Sequence, residues 1–180
     1  MPNKAPIFLL TGTPGAGKTS VSNALMKRFP FGLHIPVDNL REWVVSGLAD
    51  PVPVWTAETT RQFRLARNAA AHTARLYADA GFAVVIDDVI WPHEAAELFE
   101  EPLEPHALHK VLLRPDLDSA QARNATRTNK SYDTEGLRGL IEVVHDAMLP
   151  SEYEAAGWAV VDSTHLSLEE TVDEILKHLA

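Results

Sequence analysis

A run of eight residues near the amino terminus has the types and spacing that bind nucleotide phosphates. It fits the P-loop pattern G-x-x-x-x-G-K-[ST] and consists of Gly12, Thr13, Pro14, Gly15, Ala16, Gly17, Lys18 and Thr19. Apolar residues 7–10 precede it as a predicted strand, and apolar residues at helical spacing follow it. In such a context the loop amides and the positive end of the helix face phosphate oxygens. We predict that the loop through Ser20 binds phosphates. Lys18 would reach the β- and γ-phosphates, and the Thr19 hydroxyl would hold Mg²⁺.

Two adjacent acids are candidates for a magnesium site. Asp87 and Asp88 follow the apolar run 82–86, which is the form of a Walker B segment whose aspartate holds Mg²⁺. Successive residues of a strand point to opposite faces, so we expect only one of the two to face the metal, and we favour Asp87. The alternative is that either aspartate caps the helix that follows.

Asp38 closes the second predicted strand, 33–37, and is a candidate base. A carboxylate at that point could accept a proton from an attacking hydroxyl group and contact the acceptor. The alternative is an N-cap for a short predicted helix over residues 39–46.

Arginines in three predicted helices could contact the phosphoryl group or the acceptor. Arg123 and Arg127 are four residues apart and share a face, in a polar stretch that suits a mobile lid over the phosphates. Arg61 and Arg64 lie at the start of a long helix and are candidates for the acceptor, with Arg41 as a weaker one. The alternative for all five is a solvated helix surface.

These residues need a scaffold that brings them together, and the apolar pattern predicts one. Helical patterns alternate with five segments of strand character, which are residues 7–10, 33–37, 82–86, 108–113 and 158–161. This alternation predicts an α/β fold of parallel strands and crossover helices. Ligands bind at the carboxyl ends of the strands in such sheets, so one edge should collect the lysine, hydroxyls, carboxylates and arginines.

Two helices have further signals. The longest helical pattern covers residues 57–80, and its predicted buried stripe consists of Phe63, Ala66, Ala70, Thr73, Tyr77 and Ala80. The last helix should start at a capping box formed by Ser167 and Glu170.

Length, charge and composition limit the class of protein. The chain has 180 residues, which suits one domain, and its composition is 46% hydrophobic and 23% charged. The net charge of −9 argues against nucleic-acid binding, and the absence of cysteine excludes disulfides. No apolar run predicts a membrane span, and no leader pattern is present, so we expect a cytoplasmic protein that acts on a small molecule.

Several segments together resemble the small P-loop kinases, and within them the chloramphenicol phosphotransferase-like proteins. The resemblance rests on the P-loop and on residues 37–40, 81–89 and 161–165. It implies a three-layer P-loop NTPase sandwich, with a five-stranded parallel sheet of order 2-3-1-4-5, helices on both faces and a helical lid over about 116–134. It also implies ATP and Mg²⁺ as ligands, Asp38 as the base on the acceptor hydroxyl, and Arg123 and Arg127 in the lid.

The sequence therefore predicts an ATP-dependent phosphotransferase that acts on a hydroxyl of a small molecule, an antibiotic or a similar metabolite. One alternative is a nucleoside or nucleotide kinase. Others are an ATPase or GTPase switch and a nucleotide-binding module without catalysis. A guanine-binding Asn-Lys-x-Asp motif is not found in the sequence. Neither the acceptor nor the oligomeric state can be predicted from these patterns.

Overall fold

The fold is a five-stranded parallel sheet with helices on both faces, as predicted. A computed structural model describes residues 5–51, 54–125 and 136–178, with only the backbone of 136–138. The sheet order is β2-β3-β1-β4-β5 and every pairing is parallel. The strands are β1 Ile7–Thr11, β2 Gly32–Pro36, β3 Ala83–Asp87, β4 Leu108–Leu113 and β5 Ala159–Val161.

Helices fill the connections between the strands. They are α1 Lys18–Met26, α2 Val37–Glu42, α3 Ala57–Asp79, α4 Pro92–Ala95, α5 Glu101–Leu103, α6 Leu117–Ala125, α7 Gly136–Ala147, α8 Pro150–Ala155 and α9 Leu168–Lys177. A π-helical turn over Ala96–Glu100 joins α4 to α5. No helix in these described ranges is long and apolar enough to cross a membrane. The predicted lid segment begins with α6, and its part from residue 126 to 134 lies outside the described residues.

The core lies on both sides of the sheet. Strand β1 has no exposed residue: Ile7 and Leu9 face one apolar cluster, and Phe8 and Leu10 face the other. The first cluster is covered by α3, α4, α5, α7 and α8, and the second by α1 and α9. A parallel sheet buried on both faces explains why its strands are continuous apolar runs instead of alternating patterns.

The long helix α3 begins and ends close to its predicted bounds, but its buried face differs from the predicted stripe. Thr56 caps its start through a hydrogen bond from the amide of Thr59. Ala71, Ala74 and Ala78 are buried in the second half, where Tyr77 and Ala80 are exposed. The predicted stripe had a period of 3.5 residues, and a straight helix drifts about 20° per heptad away from such a stripe.

The short second helix also starts earlier than predicted. It begins at Val37, so Asp38 lies in its first turn, and Pro36 occupies the N-cap position. The alternative that Asp38 is an N-cap is therefore wrong. The backbone turns into the helix one residue after β2 ends, which leaves Asp38 at the carboxyl edge of the sheet.

Two glycines provide a matched test of the packing between β2 and the end of α1. A Cβ on Gly32 would lie 2.5 Å from the carbonyl oxygen of Met26, whereas a Cβ on Gly139, in α7, would meet nothing within 4 Å. We expect Gly32→Ala to lower the free energy of unfolding by about 1–3 kcal/mol. Gly139→Ala should raise it by about 0.5–1 kcal/mol, because alanine is the better helix former. Urea denaturation measures both, and equal effects of the two substitutions would contradict the packing described.

Candidate active site

The P-loop lies against the ends of β4 and α6, and two of its glycines make this contact possible. Gly12 and Gly15 both have positive φ angles, of 150° and 87°. A Cβ on Gly12 would lie 2.5 Å from the carbonyl oxygen of Leu113, and one on Gly15 would lie 2.1 Å from that of Ala120. Any side chain at either position would push the loop off its neighbours. The close approach of the loop to these neighbours therefore depends on the two glycines.

The positive charge at the start of α1 is suited to an anion. Gly17 is the N-cap, and among the described residues none caps this helix with a side chain or adds an acid in its first turn. The Lys18 Nζ donates hydrogen bonds to the carbonyl oxygens of Gly12, at 2.8 Å, and Thr13, at 3.3 Å. The ammonium group and the amide ends of the helix thus converge over the loop, which is the arrangement that binds phosphate.

Asp87 and Thr19 lie side by side at the end of β3. The Thr19 hydroxyl donates a hydrogen bond of 2.9 Å to Asp87 Oδ2, and His34 Nε2 lies 3.3 Å from the same oxygen. Burial opposes ionisation of Asp87, but the neighbouring His34, Lys18 and Thr19 hold the pKa of its carboxyl below the ordinary value. This pair offers a carboxylate and a hydroxyl oxygen within reach of one cation. His34 was not predicted, because its neighbour lies on another strand.

Asp88 points to the opposite face and belongs to a buried ion network. Arg67 Nε donates to Asp88 Oδ2 at 2.7 Å, its Nη1 to Glu94 at 2.9 Å, and its Nη2 to the carbonyl oxygen of Val89 at 2.9 Å. The Arg67 and Asp88 side chains are only 6% and 2% exposed. Burial raises the pKa of Asp88 to about 6, the charge of Asp38 adds to this effect, and Arg67 opposes it. Asp38 thus lies close to this network.

Arg67 is the main residue that sequence reasoning missed. It lies on the buried face of α3, next to Ala66 and one turn from Phe63. A charged residue on an otherwise apolar helix face is a signal of a buried partner, and that signal was available in the sequence.

The three arginines predicted for the acceptor side have partners in the protein. Arg61 and Arg64 form exposed ion pairs with Glu58 and Glu97. Arg41 is buried; its Nη2 donates to the carbonyl oxygen of Ala49 at 2.7 Å, and its guanidinium lies 3.9 Å above the ring of Phe63. Arg41 therefore anchors the segment after α2. The contact of Arg41, Arg61 and Arg64 with an acceptor stays a prediction.

That segment exposes an unusual amount of apolar surface. Trp43, Val45 and Trp55 are 75%, 99% and 54% exposed. The ring of Trp55 stacks on that of Phe63 with centroids 4.9 Å apart, and its Nε1 donates to Thr60. Because the Arg41 guanidinium lies above the ring of Phe63, the start of α3 carries two stacked aromatic rings that Arg41 helps to hold in place.

A cavity of about 300 Å³ lies on the other side of the P-loop. Its lining includes Gly17, Ser20, Arg123, Ser163 and Leu166. The Arg123 Nη2 donates to the carbonyl oxygen of Ser163 at 2.9 Å, so α6 is tied to the end of β5. The cavity adjoins the loop amides and is large enough for part of a nucleotide. Arg127 lies outside the described residues.

The sheet order and the P-loop together are those of the P-loop kinase fold. A match to a family model then shows the family of the chain. The family model for chloramphenicol phosphotransferase-like proteins matches residues 5–180, and the chain belongs to that family. The family and the fold support a small-molecule phosphotransferase. No curated protein matches the sequence with significance.

Solved structures share the fold at low sequence identity. The tunicamycin resistance protein of Deinococcus radiodurans is 16% identical with a TM-score of 0.65, covering 98% of this chain and 96% of that one. The shikimate kinase of Bacteroides thetaiotaomicron is 18% identical with a TM-score of 0.64, covering 97% and 98%. The APS kinase of Mycobacterium tuberculosis, solved with AMPPNP and APS, is 16% identical with a TM-score of 0.62, covering 99% of each chain.

The buried ion network can be tested through stability. We expect Arg67→Ala to lower the free energy of unfolding by about 3–5 kcal/mol, because it leaves the buried Asp88 carboxylate without its cation. Arg64→Ala, one turn away on the same helix, removes an exposed pair and should change stability little. Urea denaturation at pH 7 measures both. A loss at Arg67 no larger than that at Arg64 would show that the network contributes nothing.

Proposed function

We propose that this protein is an ATP-dependent phosphotransferase that transfers the γ-phosphoryl group to a hydroxyl of a small molecule. One observation carries the proposal. Leu10 of β1 and Pro36 of β2 both pair with Asp87 of β3. The P-loop, the Thr19–Asp87 pair and Asp38 therefore follow strand ends that lie level at one edge of the sheet. Membership of the family supports the same chemistry.

The nucleotide would bind with its phosphates on the loop amides and Lys18. The cavity beside Gly17 and Arg123 would take the nucleoside part. Arg123, and with it Arg127, would add positive charge over the phosphates. The proposal implies a compartment rich in ATP, such as the cytoplasm.

The oxygens of Thr19 and Asp87 fit a magnesium ion. Mg²⁺ prefers hard oxygen ligands and is usually held by one or two protein groups together with substrate phosphates and water. Of the residues described, no group of three or more acids and histidines could hold a metal alone, so phosphate oxygens would complete the site. The bound ion would neutralise charge that develops on the phosphates during transfer. Asp88, the other predicted metal ligand, forms an ion pair with Arg67 and is not proposed to bind the metal.

Asp38 would act on the acceptor. Its carboxylate would accept the proton of the acceptor hydroxyl while the hydroxyl oxygen forms a bond to the γ-phosphorus. The bond between that phosphorus and the bridging oxygen breaks, and its electron pair leaves with ADP. Most of the rate enhancement would come from positioning and electrostatics. Arg41, Arg61 and Arg64 remain proposed for the acceptor side.

The direct test is ADP release with Mg²⁺ across a panel of hydroxyl compounds that covers antibiotics, sugars, nucleosides and hydroxy acids. Acceptor-dependent ADP release with a phosphorylated product supports the proposal and names the acceptor class. A nucleoside as the best acceptor would favour a nucleoside kinase. ATP hydrolysis that is indifferent to every compound would favour an ATPase, and tight ATP binding without turnover a binding module.

Asp38→Asn should reduce kcat by about 10²–10⁴-fold and leave the ATP affinity nearly unchanged, because only proton transfer is removed. Glu42→Gln, an exposed acid on the same helix, is the matched control and should retain activity. Steady-state kinetics with the best acceptor, together with ATP titration, measures both quantities. Equal loss of ATP binding and turnover in Asp38→Asn would point to a structural role instead.

Asp87→Asn should raise the Mg²⁺ concentration needed for half-maximal nucleotide binding by about tenfold or more, because a charged oxygen ligand is lost. Lys18→Ala should weaken nucleotide binding at every Mg²⁺ concentration and abolish transfer. Titration with a fluorescent ATP analogue at graded Mg²⁺ separates the two effects. A Mg²⁺ dependence of Asp87→Asn identical to the wild type would refute the metal assignment.

A further inference from the structure

Arg114 has buried hydrogen-bond donors that nothing in the described protein uses. It follows β4, and its backbone amide donates to the carbonyl oxygen of Val161 at 2.9 Å. Its side-chain Nε and Nη1 are buried, and no acceptor for either lies among the described residues. An unsatisfied buried donor destabilises the folded protein, and a donor on a charged group does so more strongly. Arg67, by comparison, uses all three of its guanidinium nitrogens.

The position of Arg114 places this unused cation beside the P-loop. Strand alternation puts it on the sheet face of Leu112, toward Tyr153. The Tyr153 hydroxyl donates to the carbonyl oxygen of Ile90 at 2.9 Å, and the Ile90 amide donates to the Thr11 hydroxyl at 3.0 Å. Thr11 is the last residue before the loop. Tyr153, which acts electrostatically on Arg114, thus belongs to a series of hydrogen bonds that ends where the phosphate-binding segment begins.

Two further contacts tie the same region to the loop. The carbonyl oxygen of Leu113, immediately before Arg114, lies against Gly12. The Thr13 hydroxyl donates to the carbonyl oxygen of Ile141 in α7 at 3.2 Å. Helix α7 also carries Asp146, which is the carboxylate that acts electrostatically on Arg114.

Asp146 does not neutralise Arg114 as an ion-pair partner would. Its side chain is 74% exposed and lies 3.7 Å from His145, and no ion pair with Arg114 occurs among the described residues. Burial lowers the pKa of the Arg114 guanidinium, and Asp146 and Tyr153 only partly oppose that effect. Among the described residues, no carboxylate forms an ion pair with this cation.

We propose that Arg114 donates hydrogen bonds from its guanidinium to the γ-phosphoryl oxygens of the bound nucleotide. The inference rests on the proposed function. The sheet order favours the γ-phosphoryl group, rather than an acidic group of the acceptor, as the ligand of Arg114. Strand β4 lies on one side of the P-loop strand, and Asp38 follows β2, two strands away on the other side. The phosphoryl group would lie between them as it passes from the bridging oxygen of ATP to the acceptor oxygen, and Asp38 would take the hydroxyl proton.

A binding experiment tests this role without any acceptor. The ratio of affinities for a non-hydrolysable ATP analogue and for ADP, measured with Mg²⁺ by calorimetry, isolates contacts to the γ-phosphate. We expect Arg114→Met to lower this ratio about tenfold or more, since hydrogen bonds to charged groups are lost. Arg75→Met is the control, because Arg75 lies near the carboxyl end of α3, away from the P-loop, and its one hydrogen bond to a described residue goes to the carbonyl oxygen of Pro102. It should leave the ratio unchanged.

Measurements of stability and kinetics distinguish this role from a purely structural role and from a role in binding the acceptor. If Arg114 were only structural, Arg114→Met would lower the free energy of unfolding and leave the affinity ratio intact, and the proposal would be overturned. An unchanged ratio with a raised KM for an anionic acceptor would also overturn it and assign Arg114 to the acceptor. If Arg114→Met does not fold, Arg114→Gln, which also removes the charge, replaces it, and an unchanged ratio there overturns the proposal. A lowered ratio in a protein that phosphorylates nothing would leave this inference standing while the proposed function fails.

Discussion

The hydrogen-bonded register of β2, β3 and β1 is the constraint on which the candidate site depends. Side chains alternate between the faces of a strand, so a slip of one residue would exchange the faces of every residue in β3. With the observed register, Asp87 meets Thr19 of α1 on one face and Asp88 meets Arg67 of α3 on the other. The apolar residues of β3 enforce this choice, because Val84 and Ile86 must enter one cluster and Val85 the other.

The two adjacent carboxylates consequently differ in environment although they are chemically the same. Hydrogen bonds and cations keep the pKa of Asp87 low, as suits a group that would bind a metal. The Asp88 side chain is buried, and its charge is stabilised by the Arg67 guanidinium and by the Val89 amide, which donates to Oδ1 at 2.8 Å. The same guanidinium holds Glu94 and the carbonyl oxygen of Val89, so it fixes the chain that leaves β3. A structural ion network thus supports the backbone at the edge of the sheet that carries the candidate site.

Sequence patterns predicted the parts of this structure that depend on local spacing. The P-loop is a local sequence motif. The opposite orientations of Asp87 and Asp88 follow from the alternation of side chains along a strand. The strand order followed from the family resemblance. The buried face of α3 was predicted wrongly in its second half, because a period fitted to scattered apolar residues drifts from the true helix. His34 and Arg67 were missed as site residues because their roles depend on neighbours from distant parts of the chain.

The hydrogen bond between Thr19 and Asp87 has a consequence for the protein when no ligand is bound. The hydroxyl and the carboxylate satisfy each other, and His34 stands beside the same oxygen. In structural zinc proteins the ligands are unsatisfied without the ion, and folding then requires the metal. Here the hydroxyl and the carboxylate already satisfy each other, so neither group is left without a partner when no ion is bound. On the proposed function, the supply of divalent cations and nucleotides would govern activity, whereas the Thr19–Asp87 pair would persist without them.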